Sequence, residues 1–188
     1  LEDAETMLRH YPKAWLPATP DASWHPGKIP FAQTYTMHHS WFDAEDTMPA
    51  WIAASQRHQA WGVRVMTRAF RRQSDRIVST AVHLLIDAWP AGWMKTLVDV
   101  DRRPKPAYFE FKEALTPLMV DIRTDRSRYY AGEKLRLEFW VANDRRAEFE
   151  RGRLVWEVLR AGQRVFAQSD VARIPSYGAA FQGHFRWT

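Results

Sequence analysis

The chain has 188 residues, a formal net charge of +5 and no cysteine. That length suits one large domain or two small ones. The missing cysteines exclude disulfide bonds, thiolate catalysis and cysteine-ligated metals, and they leave the cellular compartment open. No apolar run approaches the ~20 residues that a membrane-spanning helix requires, so we expect no membrane partner.

Part of the basic charge recurs with the period of a helix. Arginines occupy every fourth position at Arg64, Arg68, Arg72 and Arg76. No nucleic-acid-binding motif accompanies them, and acidic residues are interleaved with the other basic ones. We therefore expect a solvated outer helix face and no nucleic-acid partner.

Prolines and tryptophans punctuate residues 1–45, which favours a short helix at about 1–10 followed by a long loop. Long loops inside compact domains are uncommon and usually form lids or pocket walls. The chain begins at Leu1 and not at a methionine, so we expect that further sequence precedes it.

A long amphipathic helix is predicted over about 49–72. Pro49 suits its first turn, and the acids just before it favour the positive end of the helix. Apolar side chains then recur at steps of three and four residues and form one buried stripe. Members of that stripe include Trp51, Ile52, Val63, Met66 and Phe70.

The next segment, 77–86, is an almost continuous apolar run that ends at Asp87. Such a run predicts a parallel strand buried on both faces. A tryptophan-rich loop over 87–101 and a helix at about 104–115 follow it. In α/β barrels the working residues lie where such strands end. One strand cannot close a parallel sheet, so we expect these elements to be the last part of a larger barrel.

From residue 118 onward the apolar period changes to two, which predicts strands. Leu135, Leu137, Phe139 and Val141 are expected on one strand face, and Ala161-Gly162 is expected to form a tight hairpin. About six strands at this spacing favour an antiparallel immunoglobulin-like sandwich, which usually has about seven. We therefore expect truncation at Thr188, and an α+β organisation with domains at 1–117 and 118–188.

Several motifs in a fixed order resemble a known enzyme family. They are residues 54–60, the Asp-x-Trp-Pro sequence at 87–90 with Trp93 and Val98-Asp99, and Arg-Pro-Lys-Pro-Ala-Tyr at 103–108. The series is similar to the end of the catalytic TIM (β/α)8 barrel in family-2 glycoside hydrolases, the β-mannosidase, exo-β-glucosaminidase and β-galactosidase-like enzymes. The residues from 118 resemble the immunoglobulin-like domain that follows that barrel. The resemblance implies that the chain is the C-terminal part of such an enzyme.

The resemblance also implies a chemistry, the retaining hydrolysis of terminal β-mannosides, β-glucosaminides or β-galactosides by two glutamates. Both glutamates are expected on strands before Leu1. Glu2 and Glu5 are predicted on an exposed helix and Glu45 near a helix start, so none replaces them. We expect no catalytic residue, cofactor or metal in this chain and no hydrolysis by the chain alone. The implied partners are the glycoside substrate and the rest of the parent chain.

By the same resemblance, the distal wall of the sugar pocket comprises Asp87, Trp89, His83, Trp93 and His39. Asp87 is expected to bind sugar hydroxyls or to orient a neighbouring side chain. Trp89 offers its ring face to the C–H side of a pyranose. The alternative is that Trp89 and Pro90 only shape a turn, which Asp87 caps.

Two positions depart from the family pattern. His83 stands where a tryptophan is expected, and Ile86 stands where an asparagine commonly precedes the aspartate. The exchange leaves a smaller pocket wall with a titratable ring, so the sugar preference stays open. His83 as a general base is the alternative to its being a core histidine.

Zinc binding is not expected, because His25, His38, His39 and His58 lack the spacing of a zinc site. Two other functions are compatible with the sequence. A stand-alone carbohydrate- or protein-binding module built on the sandwich is the second hypothesis, motivated by the many aromatic residues. A structural or oligomerisation piece is the third.

Overall fold

A computed structural model of the chain describes residues 1–30, 43–90, 95–126 and 128–187. These residues form an α+β protein with antiparallel sheets. They divide into two compact units, one made of residues 1–67 with 80–114 and the other of residues 68–79 with 115–188. The predicted domain ranges are 1–117 and 118–188. In the structure, residues 68–79 belong to the second unit and not to the first.

Three helices lie in the described part of the chain. Helix α1 spans Ala4–His10, α2 spans Met48–Arg72 and α3 spans Pro106–Ala114. Single 3-10 turns at Lys13–Trp15 and Pro26–Lys28 interrupt the loop between α1 and α2. The three predicted helices are thus confirmed, with bounds that differ by a few residues.

The first unit has a hydrophobic core between α1 and the first half of α2. Asp3 caps α1, its Oδ1 accepting from the Ala4 amide at 2.9 Å. Met7 of α1 and the Trp51 and Ile52 pair of α2 share this core with residues of the intervening loop. Met66, which was predicted on the same stripe, is exposed, because the buried face farther along α2 runs through Ala60 and Thr67.

The predicted strand over 77–86 is wrong for this chain. In the described residues the segment is irregular, and Ile86 alone makes a bridge, parallel to Val98. Val78 is 98% exposed. A strand rich in apolar residues needs neighbours on both edges and cover on both faces. This chain supplies a partner only at the C-terminal end of the segment, so the structure does not show the barrel.

The second unit contains two antiparallel sheets. Strands β1 (Leu118–Thr124), β2 (Leu135–Asn143) and β5 (Gly178–Trp187) form one sheet in the order β1-β2-β5. Strands β3 (Phe149–Arg160) and β4 (Gln163–Ile174) form the other. The described residues thus hold five strands and not about six, and β4 is a single continuous strand of 12 residues. This arrangement is compatible with a β-sandwich.

The two sheets enclose an aromatic core, as the alternation in β2 predicted. Phe139 is 2% exposed and packs with Leu154 and Ala172 of the other sheet. The ring centroids of Phe139 and Trp156 are 4.6 Å apart. The predicted hairpin between β3 and β4 is confirmed, since Ala161 and Gly162 have φ values of 48° and 78°, as a type I′ turn requires.

The last turn of α2 belongs to the second unit and carries an ion-pair cluster. Asp121 of β1 is buried and accepts from Arg68 at 3.3 Å and from Arg72. The side chains of the two arginines are only 14% and 13% exposed. The prediction of a solvated arginine face is therefore wrong for these two positions, because a carboxylate distant in the sequence meets them there.

Candidate functional site

Three short segments of the first unit run side by side and build a buried polar site. The Val98 amide donates to Leu85 O at 2.9 Å, and the Asp87 amide donates to Val98 O at 3.1 Å. On the other edge, the Lys105 amide donates to Leu97 O at 2.9 Å. The segment 96–99 is therefore central, and it brings residues on both sides of the tryptophan-rich loop together.

A hydrogen-bonded relay connects the three segments through their side chains. Lys105 Nζ donates to Thr96 Oγ1 at 3.1 Å, and Thr96 Oγ1 donates to Asp87 Oδ2 at 2.6 Å. Asp87 and Lys105 are each 2% exposed, and Thr96 is fully buried. We call these three residues the relay.

Helix α1 is bonded to the end of the segment 96–99 through hydrogen bonds that are separate from the relay. Thr6 Oγ1 donates to Asp99 Oδ2 at 2.6 Å, and the Arg103 amide donates to Asp99 Oδ1 at 2.8 Å. Glu2 accepts from the Tyr11 hydroxyl and is fully buried. The expectation that Glu2 lies on an exposed helix is therefore wrong, because it precedes α1 and faces the interior.

Burial lowers the pKa values of two cationic groups in this part of the first unit. It lowers the pKa of the Lys105 ammonium, and the carboxylates of Asp87, Glu2 and Asp99 partly oppose that effect. Burial also lowers the pKa of the Leu1 amine to about 4. That amine donates to Ser55 Oγ at 3.0 Å. A cation surrounded by carboxylates is the arrangement that makes a buried lysine tolerable.

A second set of charges ties the exposed side of α1 to the loop after the site. Glu5 accepts from Arg103 at 2.5 Å, and this contact lowers the pKa of the Glu5 carboxyl. Asp101 pairs with His10 at 2.7 Å and Arg9 at 3.2 Å, and the His10 hydrogen bond lowers the pKa of the Asp101 carboxyl. Glu5 is exposed, as predicted.

The structure brings some of the predicted sugar-binding residues to one region. Asp87 begins the turn at 87–90, and Trp89 in that turn is 57% exposed. His83 lies four residues before Asp87 and is also exposed. Trp93 and His39 lie outside the described residues. The ring of Trp89 is exposed and available to stack on a ligand, whereas Asp87 is 2% exposed and its carboxylate belongs to the relay.

The sequence did not identify Thr96, Lys105 or Glu2 as members of the site. The distinctive feature of Lys105 in the sequence is its position between Pro104 and Pro106. Its burial depends on contacts with segments far away in the sequence, and no local pattern encodes them.

Each described carboxylate of the site accepts a hydrogen bond: Asp87 from Thr96, Asp99 from Thr6 and the Arg103 amide, and Glu2 from Tyr11. Among the described residues no group of histidines and carboxylates is arranged to hold a metal ion. No described helix is long and apolar enough to cross a membrane.

A separate cavity of about 670 Å³ lies in the second unit. It is formed where β3 begins and β4 ends, and side chains of both charges line it. The lining includes Glu148, Phe149, Arg151, Arg173 and Pro175. Its volume is within the range of small-molecule sites.

Comparison with known proteins gives structural likenesses and no sequence match. No family model matches the chain, and no curated protein sequence matches it. A β-D-mannosidase from Dictyoglomus thermophilum has a similar structure, with a TM-score of 0.61 and 17% sequence identity. The match covers 98% of this chain and 22% of the mannosidase. The fold of this chain is therefore similar to about a fifth of that protein.

Proposed function

We propose that this chain is the C-terminal part of a family-2 glycoside hydrolase, comprising the end of its TIM barrel and the following immunoglobulin-like domain. The whole protein would hydrolyse terminal β-mannosides, β-glucosaminides or β-galactosides. The observation that carries the proposal is the structural likeness to a β-mannosidase over 98% of the chain. The ordered motifs from residue 54 to Tyr108 support it independently.

The exposed segment before Asp87 also supports a barrel that other strands complete. Val78 is 98% exposed, and Leu85 and Ile86 are 48% and 39% exposed. Exposed apolar residues that lie close together usually mark a surface that another element covers. Neighbouring barrel strands would cover them, and such strands would also carry the two glutamates.

In the proposed pocket, Trp89 is the platform for the apolar face of the sugar. His83 and, outside the described residues, Trp93 and His39 would complete the distal wall. Asp87 would act by fixing the turn that carries Trp89, because its side chain is buried and accepts from Thr96. None of these groups performs the bond cleavage, which the proposal assigns to glutamates before Leu1.

The test is hydrolysis of nitrophenyl β-mannoside, β-glucosaminide and β-galactoside by the full-length product of the gene that encodes this chain. We expect turnover of at least one substrate and none by residues 1–188 alone. Trp89→Ala in the full-length protein should raise KM by roughly tenfold, the effect of losing a stacked aromatic contact. An upstream sequence without barrel strands, or a full-length protein inactive on all three, would refute the proposal.

The cavity in the second unit favours one other function, a carbohydrate-binding module. Phe149 and Pro175 offer apolar faces there, and Arg151 and Arg173 offer hydrogen-bond donors. Calorimetric titration of the 188-residue chain with β-mannan oligosaccharides tests it. Heat that disappears in Arg151→Ala would support this function, and a flat titration would reject it.

A further inference from the structure

We propose that Lys105 is a positioning residue, which acts through Thr96 to hold Asp87 and the turn that presents Trp89. The inference rests on the proposed function, because it assigns Lys105 a part in sugar binding. Lys105 itself would touch neither the sugar nor the catalytic glutamates.

The first step is the cost of burying Lys105. A buried ammonium loses its hydration, and well-packed apolar side chains often replace buried ion pairs without loss of stability. Lys105 is 2% exposed in a unit that has apolar cores of its own. Stability is therefore a weak reason for a cation at this position, and a role in specifying geometry is a stronger one.

The second step is the direction of the hydrogen bonds. A threonine hydroxyl has one proton to donate. Lys105 Nζ can only donate, so it occupies a lone pair of Thr96 Oγ1 and directs that proton toward Asp87 Oδ2. The two bonds polarise each other and fix the rotamers of both side chains.

The third step is the place of Asp87 at the start of the turn. Its amide bonds to Val98 O at 3.1 Å, and its side chain bonds to Thr96. Backbone and side chain of Asp87 are thus both held to the segment 96–99. Trp89 follows two residues later and is 57% exposed, so the place of its ring depends on how the backbone after Asp87 is held.

Thr6 provides a matched control within the same unit. Thr6 and Thr96 are both fully buried, and each donates to an aspartate at 2.6 Å. Thr6 bonds to Asp99, however, and not to the residue that begins the turn. A purely structural role predicts equal effects for the two threonines, whereas positioning predicts a kinetic effect for Thr96 alone.

The kinetic experiment compares Thr96→Val, Thr96→Ser and Thr6→Val in the full-length protein. We expect Thr96→Val to raise KM for the best aryl glycoside roughly tenfold with kcat changed less than about threefold. Thr96→Ser restores the hydroxyl and should restore KM, and Thr6→Val should leave KM unchanged although it destabilises. Equal KM values for the two valine variants would overturn the positioning role.

A second experiment on the 188-residue chain tests the relay without any activity. The Lys105 side-chain titration, followed by NMR of its Cε, should shift to lower pH in Asp87→Asn because a neighbouring negative charge is lost. Asp101→Asn, on the nearby exposed loop, should leave the titration unchanged. An unchanged Lys105 midpoint in Asp87→Asn would overturn the inference. A shifted midpoint with an inactive full-length protein would uphold the relay and refute the proposed function.

Discussion

Asp121 shows how much one buried carboxylate contributes to the second unit. It receives two arginines from successive turns of α2, Arg68 and Arg72, while it is itself buried in β1. The negative charge of this one carboxylate compensates the burial of both cations. Asp121 therefore stabilises its unit through partners that the local sequence does not reveal.

We expect Asp121→Asn to lower the free energy of unfolding by about 3 kcal/mol, because it removes the negative charge that both largely buried guanidinium groups contact. Urea denaturation followed by circular dichroism measures the change. Arg64→Gln is the control, since Arg64 is exposed one turn earlier and should cost less than about 0.5 kcal/mol. Equal stability of both variants would show that the cluster contributes nothing.

The arginine cluster also shows what a sequence period can and cannot predict. The four-residue spacing correctly places Arg68 and Arg72 on one face of a helix. Whether that face meets water depends on Asp121, which is 49 residues beyond Arg72. Periodicity reports the shape of an element and not the identity of what packs on it.

Elements whose determinants are local were predictable from the sequence. The α2 helix follows from its apolar stripe, and the β3–β4 hairpin follows from Ala161-Gly162. The segment 77–86 has an equally clear apolar pattern, yet it is not a strand here. A strand is stabilised by partners that lie elsewhere in the sequence, whereas a helix satisfies its backbone within itself.

Two glycines in different elements should respond oppositely to a methyl group. Gly183 has a φ of 145° and is the β5 partner of Phe139 in β2. The register shifts at a bulge directly beyond this pair, because the next residue of β2, Trp140, pairs with Phe181. Residues with a side chain rarely adopt that conformation. Gly62 lies within α2, and a Cβ there meets nothing within 4 Å.

We expect Gly183→Ala to destabilise the chain by about 1–3 kcal/mol through backbone strain. Gly62→Ala should stabilise it by about 0.5–1 kcal/mol, because alanine loses less backbone freedom in a helix. Thermal unfolding of both variants beside the wild type measures the difference. A Gly183→Ala variant as stable as the wild type would contradict the strained geometry at the bulge.

At the scale of the whole molecule, the polar site depends on contacts across most of the first unit. Thr6 and Asp99 are 93 residues apart in the sequence, and Leu1 and Ser55 are 54 apart. The sequence indicated Asp87 and Asp99 through their motifs. It did not indicate Glu2, Thr96 or Lys105, because their burial results from tertiary packing.

Because the Leu1 amine is buried, we expect the stability of the 188-residue chain to depend on pH. Its pKa is 8.0 when unfolded and about 4 when folded. Between these values the unfolded chain binds one more proton than the folded chain, so the free energy of unfolding rises with pH. The slope from this group is at most about 1.4 kcal/mol per pH unit. Above pH 8 the group no longer contributes to the slope.

Blocking the amine isolates this contribution from that of every other titrating group. We expect an Nα-acetylated chain to be more stable than the free chain at pH 5, with the difference shrinking toward pH 8. Urea denaturation of both chains across this range measures it. Parallel profiles would mean that the amine is hydrated in the folded state and would contradict its burial. Profiles that converge at pH 8 would instead show that folding removes the amine from water.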